Sequence, residues 1–321
     1  MKHVEMVVPC YNEQECIRVL YEEIDRVFHE YDNLKDVEYS ILFVNDGSKD
    51  HTLDEIKQLA QEIGGQKIHY VSFARNFGKE SAIYAGLAKC QGDYIVLMDA
   101  DLQHPPSLIP QMLAEIENGY DCCGARRVSR KGEPLVRSCF SRLFYKVVNR
   151  VTCMELVPGG SDYRMMTRQM VDAVLSLSER ERFIKGIMSW VGFETKWIEY
   201  ENVERFAGKT KWSFMGLGNY AVNGFFAFAT TPLRAVVWLG VLIVLVAAIS
   251  AIRLVVNTLV HGTDGAGFVT LVVLILFFNG VIITILGVIG EYMARIYLEI
   301  KHRPIYIEKE TNVVCEEQVN E

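Results

Sequence analysis

Two carboxylates one residue apart, Asp99 and Asp101, end the apolar run YIVLM. Acids abutting so hydrophobic a segment need partners, because a buried carboxylate without one is costly. A hard divalent cation is one such partner: Mg2+ or Mn2+ takes oxygen from one or two carboxylates, and nucleotide phosphates complete its shell. Gln103 can add a carbonyl oxygen to the same cluster. A helix cap or turn built from DLQHPP accounts for the same residues, so the pair alone does not decide. His104, beside Pro105 and Pro106, reads as a loop residue without a metal role. Asp46, in VNDGSKDHT, follows another apolar run. Its carboxylate suits a ribose hydroxyl or a base N–H, and Asn45-Asp46-Gly47 suits an ordinary turn equally well. A phosphate-cradling P-loop is excluded. Gly78-Lys79 is followed by Glu80, and Gly208-Lys209-Thr210 has Val203 where the pattern needs its first glycine.

These acids need elements to hold them. VEMVVP, YSILFVND, KIHYVSFA and DYIVLMDA are strand-length apolar runs ending in polar residues. Between them EQECIRVLYEEIDRVFHEY, TLDEIKQLAQEI and KESAIYAGLAKC place apolar residues at helical spacing. The alternation predicts an α/β fold with a mainly parallel sheet, whose ligands bind at the carboxyl ends of the strands. The chemistry-bearing residues fall there: Pro9 to Glu13, Asn45 to Ser48, Arg75 to Lys79 and Asp99 to Gln103.

The 321 residues carry 33 basic and 40 acidic side chains, half the chain is apolar, and the mean hydropathy is +0.13. High hydropathy alongside substantial charge predicts a soluble part joined to a membrane part. The net charge of -7 argues against general nucleic-acid binding. Eight cysteines without a CxxC pair encode neither a zinc ribbon nor a disulfide framework, and fit a cytosol-facing protein. Residues 235–257 and 267–289 are predicted to cross a bilayer, since Ala235 to Ile252 and Gly265 to Gly290 hold no charge. Arg253 can snorkel to the interface. The joining loop NTLVHGTDGAG lacks Lys and Arg, whereas Lys209, Lys211 and Arg234 precede the pair and Arg295, Lys301 and Arg303 follow it. The positive-inside bias therefore places both termini, and the soluble domain, in the cytoplasm.

The expected organisation is a catalytic domain over 1–212, an interfacial helix over 213–234, two spans within 235–290, and a juxtamembrane segment with an acidic tail over 291–321. The tail beyond Ile307 is expected to be disordered. Gly216, Gly218 and Ala221 match GxGxxA but follow no strand, so a dinucleotide site is dismissed. Eight basic residues between Arg126 and Arg150, among them Arg126, Arg137, Arg142 and Lys146, accompany one acid, Glu133. Beside a membrane-anchored domain such a cluster is expected to face anionic lipid. Gly280, Gly287 and Gly290 leave room for helix contacts within one chain or in a homo-oligomer.

In combination, VVPCYNEQE, VNDGSKD, ARNFGKE and MDADLQHPP resemble the family 2 inverting glycosyltransferases of GT-A fold. RFAGKTKWSFMGL, the apolar segments and GEYMARIYLEIKHRPIY narrow the resemblance to the polyprenyl-phosphate glycosyltransferases, closer to the bactoprenol than to the dolichol enzymes. It covers Val7 to about Tyr306. The resemblance implies that Pro9, Tyr11, Glu13, Asp46, Lys79 and Asp99 hold the nucleotide, and that Asp99, Asp101 and Gln103 hold Mg2+ or Mn2+. It also implies that Arg205 and Lys211 face the donor diphosphate or lipid phosphate, and that Asp162, in GGSDYRMM, matches the acid proposed as base. Catalysis is thus expected of Asp162, Asp101 and Arg205, and contact with phosphate or lipid of Arg205, Lys211 and the basic cluster. No QxxRW motif is present, which points to transfer of one sugar. The expected reaction moves a hexose from a UDP-sugar to undecaprenyl phosphate at the cytoplasmic face of a bacterial inner membrane. A GDP-mannose or amino-sugar donor, and a non-catalytic membrane scaffold, stay open.

Overall fold

The computed structural model describes residues 2–127, 157, 159–177, 179–180, 182–201, 231–261 and 267–314. Two units divide the chain: Met1–Gly224 with Arg303–Glu321, and Phe225–His302.

The first unit is a mixed α/β fold of Rossmann type. Its strands are β1 (Lys2–Cys10), β2 (Val37–Asn45), β3 (Ile68–Phe73), β4 (Tyr94–Leu97), β5 (Cys122–Arg127), β6 (Gly160–Thr167), β7 (Thr195–Tyr200) and β8 (Glu308–Thr311). They form one sheet in the order β7-β5-β6-β4-β1-β2-β3-β8. Four of its pairings are parallel, and β6 and β8 run against their neighbours. The helices are α1 (Ile17–Glu30), α2 (Thr52–Ile63), α3 (Lys79–Lys89), α4 (Ile109–Glu117), α5 (Arg168–Ser176) and α6 (Ile184–Trp190).

Strands β1 and β2 are near-continuous apolar runs because helices cover both their faces. Met6 and Val8 point into the cluster with Ile17, Leu20 and Ile24 of α1, a stripe at three- and four-residue spacing. On the other face α3 lies close, because a Cβ on Gly86 would stand 2.2 Å from a Val7 methyl carbon. The strand order reverses between β1 and β4, and in open sheets that switch point opens a crevice at the carboxyl ends of the strands.

Residues 308–311 are a sheet strand, which corrects the expectation of disorder from Ile307 onward. Asn312 explains the order: its side-chain oxygen accepts from the Tyr70 amide at 2.6 Å and its amide nitrogen donates to the Ile68 carbonyl at 3.0 Å.

The second unit holds α7 (Thr231–His261) and α8 (Gly267–Ile300). Both run beyond the expected spans. Among the described residues one stretch, Phe277–Ile300, is long and apolar enough to cross a membrane, and Val236–Ser250 is a shorter apolar stretch.

Candidate active site

The loops after β1 and β2 are stitched together. Asn12 takes a positive φ of 53° and donates its amide to Ser48 Oγ at 3.0 Å, while its side-chain oxygen accepts from the Lys49 amide at 2.8 Å. The Glu13 amide donates to Thr52 Oγ1 at 2.9 Å. Strand β1 ends at Cys10, so Pro9, Tyr11 and Glu13 lie at its carboxyl end.

Asp46, buried at the end of β2, reaches across to the loop after β3. Its carboxylate accepts from the Phe77 and Gly78 amides at 2.6 and 2.9 Å. Burial pushes its carboxyl up, and the two amides and Arg75 act against that. Gly47, at φ +62°, lets this loop approach, since a Cβ there would stand 2.4 Å from the Arg75 carbonyl carbon.

The register of β4 against β6 sets the centre. Leu97 lies opposite Arg164 in an antiparallel pair, so Asp99, two residues after Leu97, and Asp162, two residues before Arg164, come to the same end of the sheet. Lys79, the first residue of α3, closes the gap. Its ammonium stands 2.7 Å from Asp99 and 2.8 Å from Asp162. Lys185 of α6 approaches Asp162 Oδ1 at 3.6 Å and donates to the Gly160 carbonyl at 3.2 Å. Burial works to raise the Asp162 carboxyl, but the Lys185 and Lys79 ammoniums outweigh it and hold it well below the usual carboxylate range. Asp99 is likewise lowered, burial being outweighed first by Lys79.

Asp101 is buried, and its Oδ1 accepts from the Gln103 amide at 3.2 Å across a turn in which Leu102 has φ +59°. His104 lies in a loop, as expected, but does not face solvent. It is buried, stacks on Tyr163 at 5.1 Å, and its Nδ1 accepts from the Asp99 amide at 3.2 Å, which assigns the neutral Nε2–H tautomer. Burial lowers its pKa, consistent with that state.

Residues 6–175 match the glycosyl transferase family 2 description. The chain belongs to glycosyl transferase family 2. This glycosyltransferase is 38% identical to the bactoprenol glucosyl transferase of Shigella phage SfV, over 95% of this chain and 98% of that one. It is 40% identical to an uncharacterized glycosyltransferase of Synechocystis sp., over 95% and 94%. Among solved structures, it is similar to a glucosyl-3-phosphoglycerate synthase of Mycobacterium tuberculosis in complex with Mn2+ and UDP-glucose. That likeness has 17% identity, covers 69% and 76% of the two chains, and has a TM-score of 0.44.

In the glycosyltransferase, Asp99, Asp101, Lys79 and Asp162 are brought to one end of the sheet. Asp46 stands beside the loop after β3, and Arg126, half-buried, is the last residue but one of β5. Arg205, Lys211, Arg137, Arg142 and Lys146 lie outside the described residues. Sequence reasoning missed Lys185, which follows no strand and belongs to no motif, and the burial of His104, for which DLQHPP was the available signal. Among the described residues no three acidic, His or Cys side chains cluster as a metal cage. Asp99 and Asp101 nevertheless fit a hard divalent ion that takes one or two protein carboxylates and keeps its other positions for phosphate and water. The Lys79 ammonium already stands against Asp99 as a cation would.

Proposed function

We propose that this glycosyltransferase moves one hexose from a UDP-sugar to a polyprenyl phosphate at the cytoplasmic face of a bacterial membrane, with inversion. The observation that carries the reading is the near full-length likeness to a bactoprenol glucosyl transferase, which takes in the apolar helices as well as the domain with the carboxylates. Asp99 and Asp101 would hold Mg2+ or Mn2+, which as a Lewis acid offsets the charge on the departing nucleoside diphosphate. Gln103 adds an oxygen to that set. Pro9, Tyr11, Glu13 and Asp46 line the nucleoside side of the crevice, and Lys79, Arg205 and Lys211 supply positive charge for phosphates.

The acceptor is a phosphate monoester with a second pKa of about 6, so at neutral pH it is already largely a dianion and needs no strong base. Asp162, held ionised between Lys79 and Lys185, is a poor proton acceptor. Its role in this reading is to fix the two ammoniums and position the acceptor. The basic residues from Arg126 to Arg150 would supply charge for anionic lipid.

Sheet continuity supports two membrane crossings. β8 pairs with β3, so residues 308–311 lie on the same side as residues 68–73. The chain between must cross an even number of times, so if Phe277–Ile300 spans the bilayer a second segment does too, and the apolar stretch Val236–Ser250 of α7 is the candidate for it.

The test is mass spectrometry of undecaprenyl phosphate after incubation with the purified protein, Mg2+ or Mn2+, and mixed nucleotide sugars. A metal-dependent gain of one hexose, absent in Asp101→Asn, is expected. No gain from folded protein that binds UDP would overturn the acceptor assignment, and no nucleotide binding would overturn the donor assignment as well.

A further inference from the structure

The chain that leaves α8 returns to the sheet, and its first residues there do more than close an edge. Ile307 accepts from the Ala74 amide at 2.9 Å, at the point where β3 ends and the loop to α3 begins. One residue earlier, the Tyr306 ring stacks on Phe73 with centroids 4.8 Å apart and meets Tyr84 of α3 edge-on at 6.5 Å. Phe73, itself buried, makes an edge-to-face contact with Phe77 at 5.8 Å. Phe77 is the residue whose amide reaches the Asp46 carboxylate, and the Arg75 guanidinium covers its ring at 4.1 Å. Ile305 completes the wall of a polar cavity of about 360 Å3 that Arg75, Asn76, Phe77, Gly78, Ser81 and Arg180 also line. An unbroken series of contacts thus leads from Tyr306 through Phe73 and Phe77 to Asp46. The segment is clamped further along, where Lys57 pairs with Glu310 at 2.7 Å and Lys89 with Glu308 at 3.2 Å.

We infer that Tyr306 is a positioning residue for the nucleotide site: the returning segment 305–307 sets the loop 74–78 in the conformation that meets Asp46. The inference rests on the proposed nucleotide role of Asp46. Aromatic pairs of this kind contribute beyond their burial, which biases a short loop between two conformations. Without the ring, Phe73 and Phe77 lose their outer support, the loop samples other states, and nucleotide binds only the competent fraction.

The full chain in detergent tests this with Tyr306→Ala and Tyr306→Phe, using UDP with Mn2+ as the probe and hydrogen exchange at amides 74–78 as a second readout. Tyr306→Ala is expected to weaken UDP binding about tenfold, or roughly 1.4 kcal/mol, and to speed exchange across the loop. Tyr306→Phe, which keeps the stack, is expected to stay within about twofold of wild type, as is Lys57→Ala, which opens only the distal clamp. A merely structural role would lower the melting temperature of Tyr306→Ala while its folded protein bound UDP as wild type does. Unchanged affinity or unchanged loop exchange in folded Tyr306→Ala overturns the inference and leaves the nucleotide assignment standing. Wild-type protein that binds no UDP overturns both.

Discussion

An ammonium shared between two carboxylates holds each of them ionised and each in place. Lys79 does this for Asp99 and Asp162 from the first turn of α3, so the three residues behave as one unit. In the proposed reaction Asp101 and Asp162 have different duties. Asp101 would offer a carboxylate oxygen to the divalent cation, and its loss would loosen the ion that offsets charge on the leaving diphosphate, an effect comparable to losing one preorganised electrostatic group, about 10²–10³ in rate. Among the described residues Asp162 forms its ion pairs with Lys79 and Lys185, so Asp162→Asn leaves intact the two carboxylates proposed to hold the metal. We expect turnover to fall about a hundredfold or more in Asp101→Asn and about tenfold in Asp162→Asn, measured as initial rates on protein whose melting curve shows it folded. Equal losses would return Asp162 to the role of base.

Element packing makes its own demands, and two of them are testable. Glu5 of β1, almost fully buried, accepts from the Gln91 and Gly92 amides at 2.6 and 2.9 Å and lies 3.6 Å from His69. Burial pushes its carboxyl up, but His69 and the two amides prevail and the pKa is lowered. A lowered carboxylate contributes stability that is complete above its unfolded pKa, near 4.3, and is lost as pH falls through the folded value. Glu5→Gln should therefore cost about 1–2 kcal/mol at pH 7, and the gap from wild type should narrow below about pH 4.5. Denaturation midpoints at pH 7 and pH 4 check this; a gap constant across that range would contradict it. Gly47→Ala acts nearer the site. The new Cβ would meet Arg75 and Asn76 backbone at 2.4–2.6 Å, so the loop must retreat from Asp46. We expect about 2–4 kcal/mol of destabilisation from strain and overpacking together and a UDP affinity at least tenfold weaker by calorimetry. Near-native affinity would place the nucleotide elsewhere.

The same elements show what the sequence made legible. Strands β1 to β4 and helices α1 to α3 are readable because each buries one apolar pattern of a single period, and the switch-point rule then places Asp46, Asp99 and Asp101 without further information. The pairing of Asp99 with Asp162 is not readable, because it depends on β6 running antiparallel to β4. Nor is β8: EKET has no apolar period, and its strand is made by edge pairing, the Asn312 bonds and two salt bridges rather than by its own pattern. The helices of the second unit were found by composition, yet their ends were set short, since polar and charged residues such as Glu291 and Arg295 continue α8 as an i, i+4 ion pair at 2.8 Å.

At the scale of the whole molecule, the apolar side chains of α7 and α8 cannot be left in water. Leu259 is 81% exposed, Trp238 73% and Ile283 68%. Soluble proteins rarely expose apolar patches beyond a few hundred Å2, and a bilayer covers such helices. Phe277–Ile300, at 1.5 Å per residue, is about 36 Å long, more than the roughly 30 Å hydrocarbon core. Because β8 is an edge strand of the catalytic sheet, a single crossing would tear residues 308–311 from β3, so retention of the fold and an odd number of crossings are incompatible. Reporters fused at the amino terminus and after Glu321 should both read out as cytoplasmic, and one inserted within residues 262–266 should read out on the far side. The protein should stay with membranes through an alkaline carbonate wash and leave only with detergent. If the inserted reporter is cytoplasmic while the wash still fails to release the protein, the helices lie on the membrane without crossing it, the remaining even-numbered solution that the sheet permits.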